Sequence, residues 1–348
     1  KSAFMMKERS RIGGRARTLH MIYGVFGNDA DFIDEWEVSF KSVIFNAPLD
    51  SDLHVHIICG DDGARSVEKR IRDAQLPGSR WRNKVSVTVT NLRSKVDNLL
   101  GFLRNMILTE ENRTRHETEW MEERLGIGTF LRLFAYKYVM EYIPTENARG
   151  KKDLRMAFYL DVDVVIIANL NHLMSTADDI LINIEKQSKP RPLWMWGEGN
   201  AGFLGINVPD FEVFWDAVTR CKTIRQDPWD KKNDQWLLGH VSQCFGNLTA
   251  VQPDPSPWSV HIGHGYRIMP QTLNRTAGML HLQNRCAKKW FAEKYDCGMD
   301  RNYVDKFCDQ AKRCRTWNVK AVRNTWGLAD YYVRISWDWA IFQSGESR

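Results

Sequence analysis

Asp161 and Asp163 stand one residue apart in the apolar run Met-Ala-Phe-Tyr-Leu-Asp-Val-Asp-Val-Val-Ile-Ile-Ala-Asn-Leu, residues 156–170. Ionised carboxylates are costly to bury unless a cation meets them. The run reads as a buried strand, and residues i and i+2 of an extended segment point the same way. The pair can therefore grip one hard divalent cation. Mg²⁺ or Mn²⁺ is commonly held by one or two protein carboxylates while phosphate oxygens complete its shell. The chemistry expected here is a metal that carries a diphosphate.

Such a pair needs a sheet to hold it. His20 to Val25 is a short apolar run ending in Phe26-Gly27-Asn28-Asp29, and Phe32 to Ile44 has apolar residues at helical spacing. Leu53 to Cys59 reads as a second strand closed by Gly60-Asp61-Asp62-Gly63, Val67 to Leu76 as a second helix, and Val85 to Val89 as a third strand. This order predicts an α/β fold with a mostly parallel central sheet flanked by helices. Ligands on such sheets sit at the carboxyl ends of the strands, where both the Asn28-Asp29 loop and the Asp161-Val162-Asp163 motif fall. Farther along, Phe130, Leu133, Phe134, Tyr138 and Val139 predict an amphipathic helix over Thr129 to Tyr142, with Arg132 inside it and Ile143-Pro144 closing it. From residue 190 onward the composition shifts to tryptophan, glycine and proline, which predicts loops shaping a cleft.

The 348 residues allow one large α/β domain or two smaller ones with a sizeable core. A hydrophobic content of 43% with 26% charged residues is that of a globular protein. The net charge of +6 comes partly from Lys1, Lys7, Arg9, Arg11, Arg15 and Arg17, which read as a solvated linker. Aromatic and basic residues form no recognition module, so no nucleic-acid partner is expected. No stretch reaches the roughly 18 apolar residues needed to cross a bilayer, and a membrane anchor upstream of the chain is compatible with that. Asn112-Arg113-Thr114, Asn247-Leu248-Thr249 and Asn274-Arg275-Thr276 fit the N-glycosylation acceptor pattern. Of the seven cysteines, Cys286, Cys297, Cys308 and Cys314 cluster without the paired spacing of a zinc site, which fits disulfides or buried thiols. Together these features place the expectation in the secretory pathway, in the Golgi or ER lumen.

Four segments in order carry a family resemblance: Thr129-Phe130-Leu131-Arg132-Leu133 with Ile143-Pro144, then Tyr159-Leu160-Asp161-Val162-Asp163, then Asn200-Ala201-Gly202-Phe203-Leu204-Gly205-Ile206-Asn207, then Asn233-Asp234-Gln235. Tyr266-Arg267-Ile268-Met269-Pro270, His281 and Lys288-Lys289-Trp290 follow. The pattern resembles retaining glycosyltransferases of family 8, which have the GT-A fold, and Phe40-Lys41-Ser42-Val43-Ile44-Phe45-Asn46 is closest to their xylosyltransferase-like branch. The resemblance covers residues 19–290. It implies a basic linker or stem over 1–18, a glycosyltransferase domain over 19–290, and a helical or loop extension over 291–348 packed on it.

The resemblance also implies roles. Asp161, Asp163 and His281 would bind Mn²⁺ or Mg²⁺, with His281 supplying a neutral imidazole if the chain folds back onto the strand end. Asn28, Asp29, Arg132, Asn200, Ala201, Gly202 and Lys288 would bind a UDP-sugar donor, with Lys289 an alternative to Lys288 at the diphosphate. Gln235 and Asp234 would lie at the reacting face, although Asp234 could equally cap a helix starting near Gln235. The acceptor would be a glycan or glycoprotein hydroxyl. Because an amide is a poor nucleophile, same-face substitution is expected rather than double displacement. Two other readings share the fold: a nucleotidyltransferase, which would need a glycine- and basic-rich phosphate loop that does not follow the first strand, and a catalytically silent glycan-binding or accessory subunit.

Overall fold

A computed structural model describes residues 18–26, 30–48, 51–73, 85–92, 130, 132–140, 156–166, 170–171, 173–174, 193–196, 201–208, 211–221, 234–245, 249–252, 259–262 and 279–282. Asn28, Asp29, Asn200, Lys288, Lys289, the three glycosylation triplets as whole units, the four C-terminal cysteines and the 1–17 and 291–348 segments lie outside them.

The first half follows the alternation of the sequence. Strand β1 (Thr18–Val25) leads into helix α1 (Ala30–Phe45), β2 (Asp52–Cys59), α2 (Asp61–Asp73) and β3 (Val85–Asn91). β2 runs parallel to both β1 and β3. Ile33, Trp36, Phe40, Val43 and Ile44 recur at helical spacing along α1 and are buried, against Tyr23 and Val25 of β1 and Val55 and Ile57 of β2. α2 begins at Asp61, so the Gly60-Asp61-Asp62-Gly63 stretch expected as a turn is mostly helix. Aspartate is favoured in the first turn of a helix, where it meets the positive end of the dipole.

The apolar run at 156–170 does not continue as one strand. β4 (Met156–Leu160) joins the central sheet parallel to β1, the chain turns at Asp161–Asp163, and β5 (Val164–Ile166) enters a second sheet. Two ionised carboxylates are costly in a buried ladder without a cation, and the break puts them at the carboxyl end of β4.

Seven strands form the central sheet in the order β3-β2-β1-β4-β7-β6-β8, with β6 (Leu193–Trp196), β7 (Phe203–Asn207) and β8 (Thr249–Gln252). β7 is antiparallel to β4 and β6, while β6 and β8 are parallel. The small sheet runs β5-β10-β9, with β9 (Ser259–Ile262) and β10 (Met279–Leu282). The expected α/β architecture with a mostly parallel central sheet is thus the observed one.

Residues 130–139 differ from expectation. Leu133, Lys137 and Tyr138 donate to carbonyls three residues back, and helix α3 spans only Tyr136–Val139. Phe130 and every residue from Arg132 to Tyr136 are buried, and exposure begins only at Lys137, inside α3. Two longer helices complete the described elements, α4 (Glu212–Arg220) and α5 (Asp234–Cys244). A disulfide between Cys221 and Cys244 ties the end of α4 to the end of α5. No helix among the described residues is long and apolar enough to cross a membrane.

Candidate active site

The turn after β4 is built by backbone contacts. Asp161 N–H donates to the Gly202 carbonyl at 2.8 Å, and Val164 N–H donates to the Asp161 carbonyl at 3.2 Å. On the far side α1 holds β5 with a polar stripe. Ser39 Oγ donates to the Val164 carbonyl, the Ile166 N–H donates to Ser42 Oγ at 2.9 Å, and Asn46 Nδ2 donates to the Ile166 carbonyl at 3.1 Å. All three side chains are buried, Ser39 and Ser42 in a face of α1 that otherwise packs apolar groups and Asn46 just past its end. They satisfy the edge of a three-residue strand that would otherwise lack partners on that side.

β10 brings the distant histidine back. It pairs antiparallel with β5, so His281 stands opposite Val164, next to the turn. His281 Nε2 lies 3.1 Å from Asp163 Oδ1. One ligand atom from each of Asp161, Asp163 and His281 falls within 4.8 Å of the others. The Asp161 and Asp163 side chains are 25% and 17% exposed, enough for an ion to reach them, while His281 is buried. Two carboxylate oxygens and one imidazole nitrogen suit a divalent ion that leaves positions for phosphate oxygens.

Gly202 makes that return possible. A Cβ on it would lie 2.1 Å from His281 Cε1, so only glycine allows the ring to pass. Ala201 and Gly202 also act through their carbonyls, which receive Arg132 Nη1 and Asp161 N–H.

Arg132 is spent inside the protein. Its Nη2 meets Asp161 Oδ1 at 3.0 Å, its Nη1 meets Asp161 Oδ2 at 3.3 Å, and its Nε stands 2.9 Å from Asp234 Oδ2. The last contact lies off the N–H axis and is ionic rather than a hydrogen bond. The guanidinium also stacks over the Tyr159 ring at 5.2 Å. Burial works against its charge, but Asp161 and then Asp234 outweigh that and hold its pKa above the usual value. Burial raises the Asp161 carboxyl above the ordinary range, with Arg132 opposing and Asp163 adding. The Asp234 carboxyl is raised by burial too, against Arg132 and the backbone N–H of Gln235. Asp234 is the first residue of α5, so its carboxylate stands at the helix start as well as in the site. Gln235, the next residue, is exposed.

The structure therefore brings Asp161, Asp163, His281, Arg132, Ala201, Gly202 and Asp234 together at the carboxyl end of β4. Sequence reasoning placed Arg132 on the donor and did not foresee its bridge between two carboxylates. It also did not foresee the Ser39, Ser42 and Asn46 stripe, whose only signal was polar residues at helical spacing inside an apolar helix face.

No known family profile and no curated protein matches the chain. Among solved structures, mouse xyloside xylosyltransferase 1 in its apo form is similar at 16% identity and a TM-score of 0.45, covering 76% of this chain and 97% of that one. The galactosyltransferase LgtC in complex with donor and acceptor sugar analogues is similar at 16% identity and a TM-score of 0.45, covering 83% and 96%. The apo WbbM bifunctional glycosyltransferase is similar at 12% identity and a TM-score of 0.43, covering 77% of this chain and 46% of that one. All three are glycosyltransferases, and the argument for function stands on the site itself.

Proposed function

We propose that the chain is a metal-dependent retaining glycosyltransferase of the family-8 type, which moves a sugar from a UDP-sugar to a hydroxyl of a glycan or glycoprotein. The observation that carries this reading is the convergence of Asp161, Asp163 and His281 at the carboxyl end of a central strand. These three residues would hold Mn²⁺ or Mg²⁺. Such an ion, when bound, neutralises charge on a departing nucleoside diphosphate.

The chain's own residues supply the rest. Arg132 fixes the Asp161 carboxylate by a two-pronged contact, so the ligand oxygens are oriented before any ion arrives. The same guanidinium ties Asp234, at the start of α5, to the metal turn. A carboxylate paired in this way is a poor nucleophile, which supports same-face substitution over a covalent intermediate on Asp234. Gln235 is exposed beside it and free in position to meet the sugar or acceptor. In this reading Lys288 or Lys289 meets the diphosphate, and Asn28, Asp29 and Asn200 complete the donor pocket. The Cys221–Cys244 disulfide supports folding in an oxidising lumen such as the Golgi or ER.

The test is release of nucleoside diphosphate from a panel of UDP-sugars with Mn²⁺, compared with a metal-free control and an Asp161→Asn/Asp163→Asn variant. Metal-dependent turnover of one donor, lost in the variant, is the expected result. A folded protein that turns over no donor with a broad acceptor set would instead favour a silent, glycan-binding subunit.

A further inference from the structure

A second group of ligand-type side chains lies at the other end of the sheet. His54 and His56 occupy positions i and i+2 of β2 and so face the same way, and His20 of β1 is in register with His54. One ring nitrogen from each of the three lies within 4.8 Å of the others. His20 Nδ1 and His56 Nε2 are 2.9 Å apart, and the His54 and His56 rings stack at 4.0 Å. His20 stands in register with Ala157, four residues before Asp161 on β4, which is about 13 Å along the strand. The two groups cannot share an ion.

Three imidazoles on one sheet face are a poor choice for packing. Neutral imidazole is the form that binds metals. His54 Nε2 also meets Thr88 Oγ1 at 2.8 Å. With Nε2–H donating to that hydroxyl, Nδ1 of His54 keeps its lone pair, and the ring is oriented as metal-binding histidines commonly are. His54 is only partly buried, which leaves a route from solvent, while His20 and His56 are buried.

We infer that His20, His54 and His56 form a second metal site, for a borderline transition ion of the Zn²⁺ type, separate from the carboxylate site. The donor set decides the class of ion. Three nitrogens, with no carboxylate in the group among the described residues, favour Zn²⁺, Ni²⁺ or Cu²⁺ over Mg²⁺ and Mn²⁺, which prefer oxygen. Three protein ligands leave a fourth position for water. Because the ligands come from adjacent strands, the ion would also pin β1 to β2.

The experiment uses the Asp161→Asn/Asp163→Asn variant, so that the carboxylate site does not contribute. The chelator-stripped protein is re-equilibrated with Zn²⁺, dialysed, and its metal content measured, and Co²⁺ is titrated in parallel and followed by visible absorption. The expected result is one retained zinc per chain, a Co²⁺ spectrum of a low-coordinate nitrogen site, and at least a tenfold loss of Zn²⁺ affinity on adding His54→Ala. His54 is the least buried of the three, and circular dichroism checks that this variant folds. Should it not fold, X-ray absorption of the zinc-loaded His54-intact protein still decides, since three imidazole ligands are required. No retained zinc, equal zinc with and without His54, or a zinc shell dominated by oxygen would each overturn the inference.

Discussion

Gly202 and Arg132 carry the most testable consequences at the level of single residues. Gly202→Ala places a methyl where His281 Cε1 now sits, so the ring must leave the turn. Its Mn²⁺ affinity is expected to fall about 10–100-fold, the usual effect of disturbing a ligand's orientation, and Mn²⁺ electron paramagnetic resonance measures it directly. Unchanged affinity would mean that His281 is not a ligand. Arg132→Met leaves Asp161 and Asp234 without their shared cation. Removing one partner of such a buried group costs about 3–5 kcal/mol, readable by urea denaturation of the metal-free protein. The raised Asp161 carboxyl sets a pH dependence with a definite sign. Its native pKa lies above the ordinary 3.8, so the native metal-free state binds the proton more tightly than the unfolded chain does. Deprotonation on raising the pH through that native value therefore destabilises the metal-free protein, and Mn²⁺ at the proposed site would oppose this by favouring the carboxylate. Mn²⁺ affinity should drop on acidification with a midpoint above the ordinary carboxylate range, and a calorimetric titration against pH that finds it at or below 3.8 would contradict the assignment.

Elements position these residues through contacts that span long stretches of sequence. The Ser39, Ser42 and Asn46 stripe holds β5, and β5 in turn fixes the pairing that delivers His281. Ser42→Ala strands the Ile166 N–H, at a cost of about 1–3 kcal/mol. It should also weaken Mn²⁺ binding although Ser42 lies outside the ligand set. Loss of stability with normal Mn²⁺ affinity would show that β5 holds its place without the stripe. The first five elements were legible because β1, α1, β2, α2 and β3 are long enough to carry a pattern: apolar runs in β1 and β2 that are buried almost end to end, the Val85-Val87-Val89 alternation of β3 in sequence, and the Ile33-Trp36-Phe40 spacing in α1. The metal turn was less so, since a three-residue strand such as β5 has no period to read. Residues 130–139 misled for a different reason. Apolar spacing there fits a helix, but Arg132 is drawn inward by Asp161 and Asp234 and buried with its neighbours through Tyr136, and the chain turns before α3 begins.

Across the whole molecule, the site draws on residues from 132 to 281 and depends on both sheets. The proposed ligands were legible in the sequence because Asp-x-Asp and the later histidine have a chemistry of their own. What escaped was partnership: that Arg132 bridges two carboxylates, and that Ala201 and Gly202 serve through backbone carbonyls. The disulfide across a separation of 23 residues ties α4 to α5, the helix that begins with Asp234. A loop of that length is worth about 3 kcal/mol in a chain-entropy account. Cys221→Ser/Cys244→Ser should lower the melting temperature, and an unchanged melting temperature would remove the argument for an oxidising compartment. UDP binding by calorimetry, with and without Mn²⁺, in the unaltered protein and in His281→Ala tests the proposed metal site most sharply. The site described here predicts UDP binding that requires Mn²⁺ and weakens at least tenfold in the variant. UDP binding of equal strength without metal, or indifferent to His281, would contradict it.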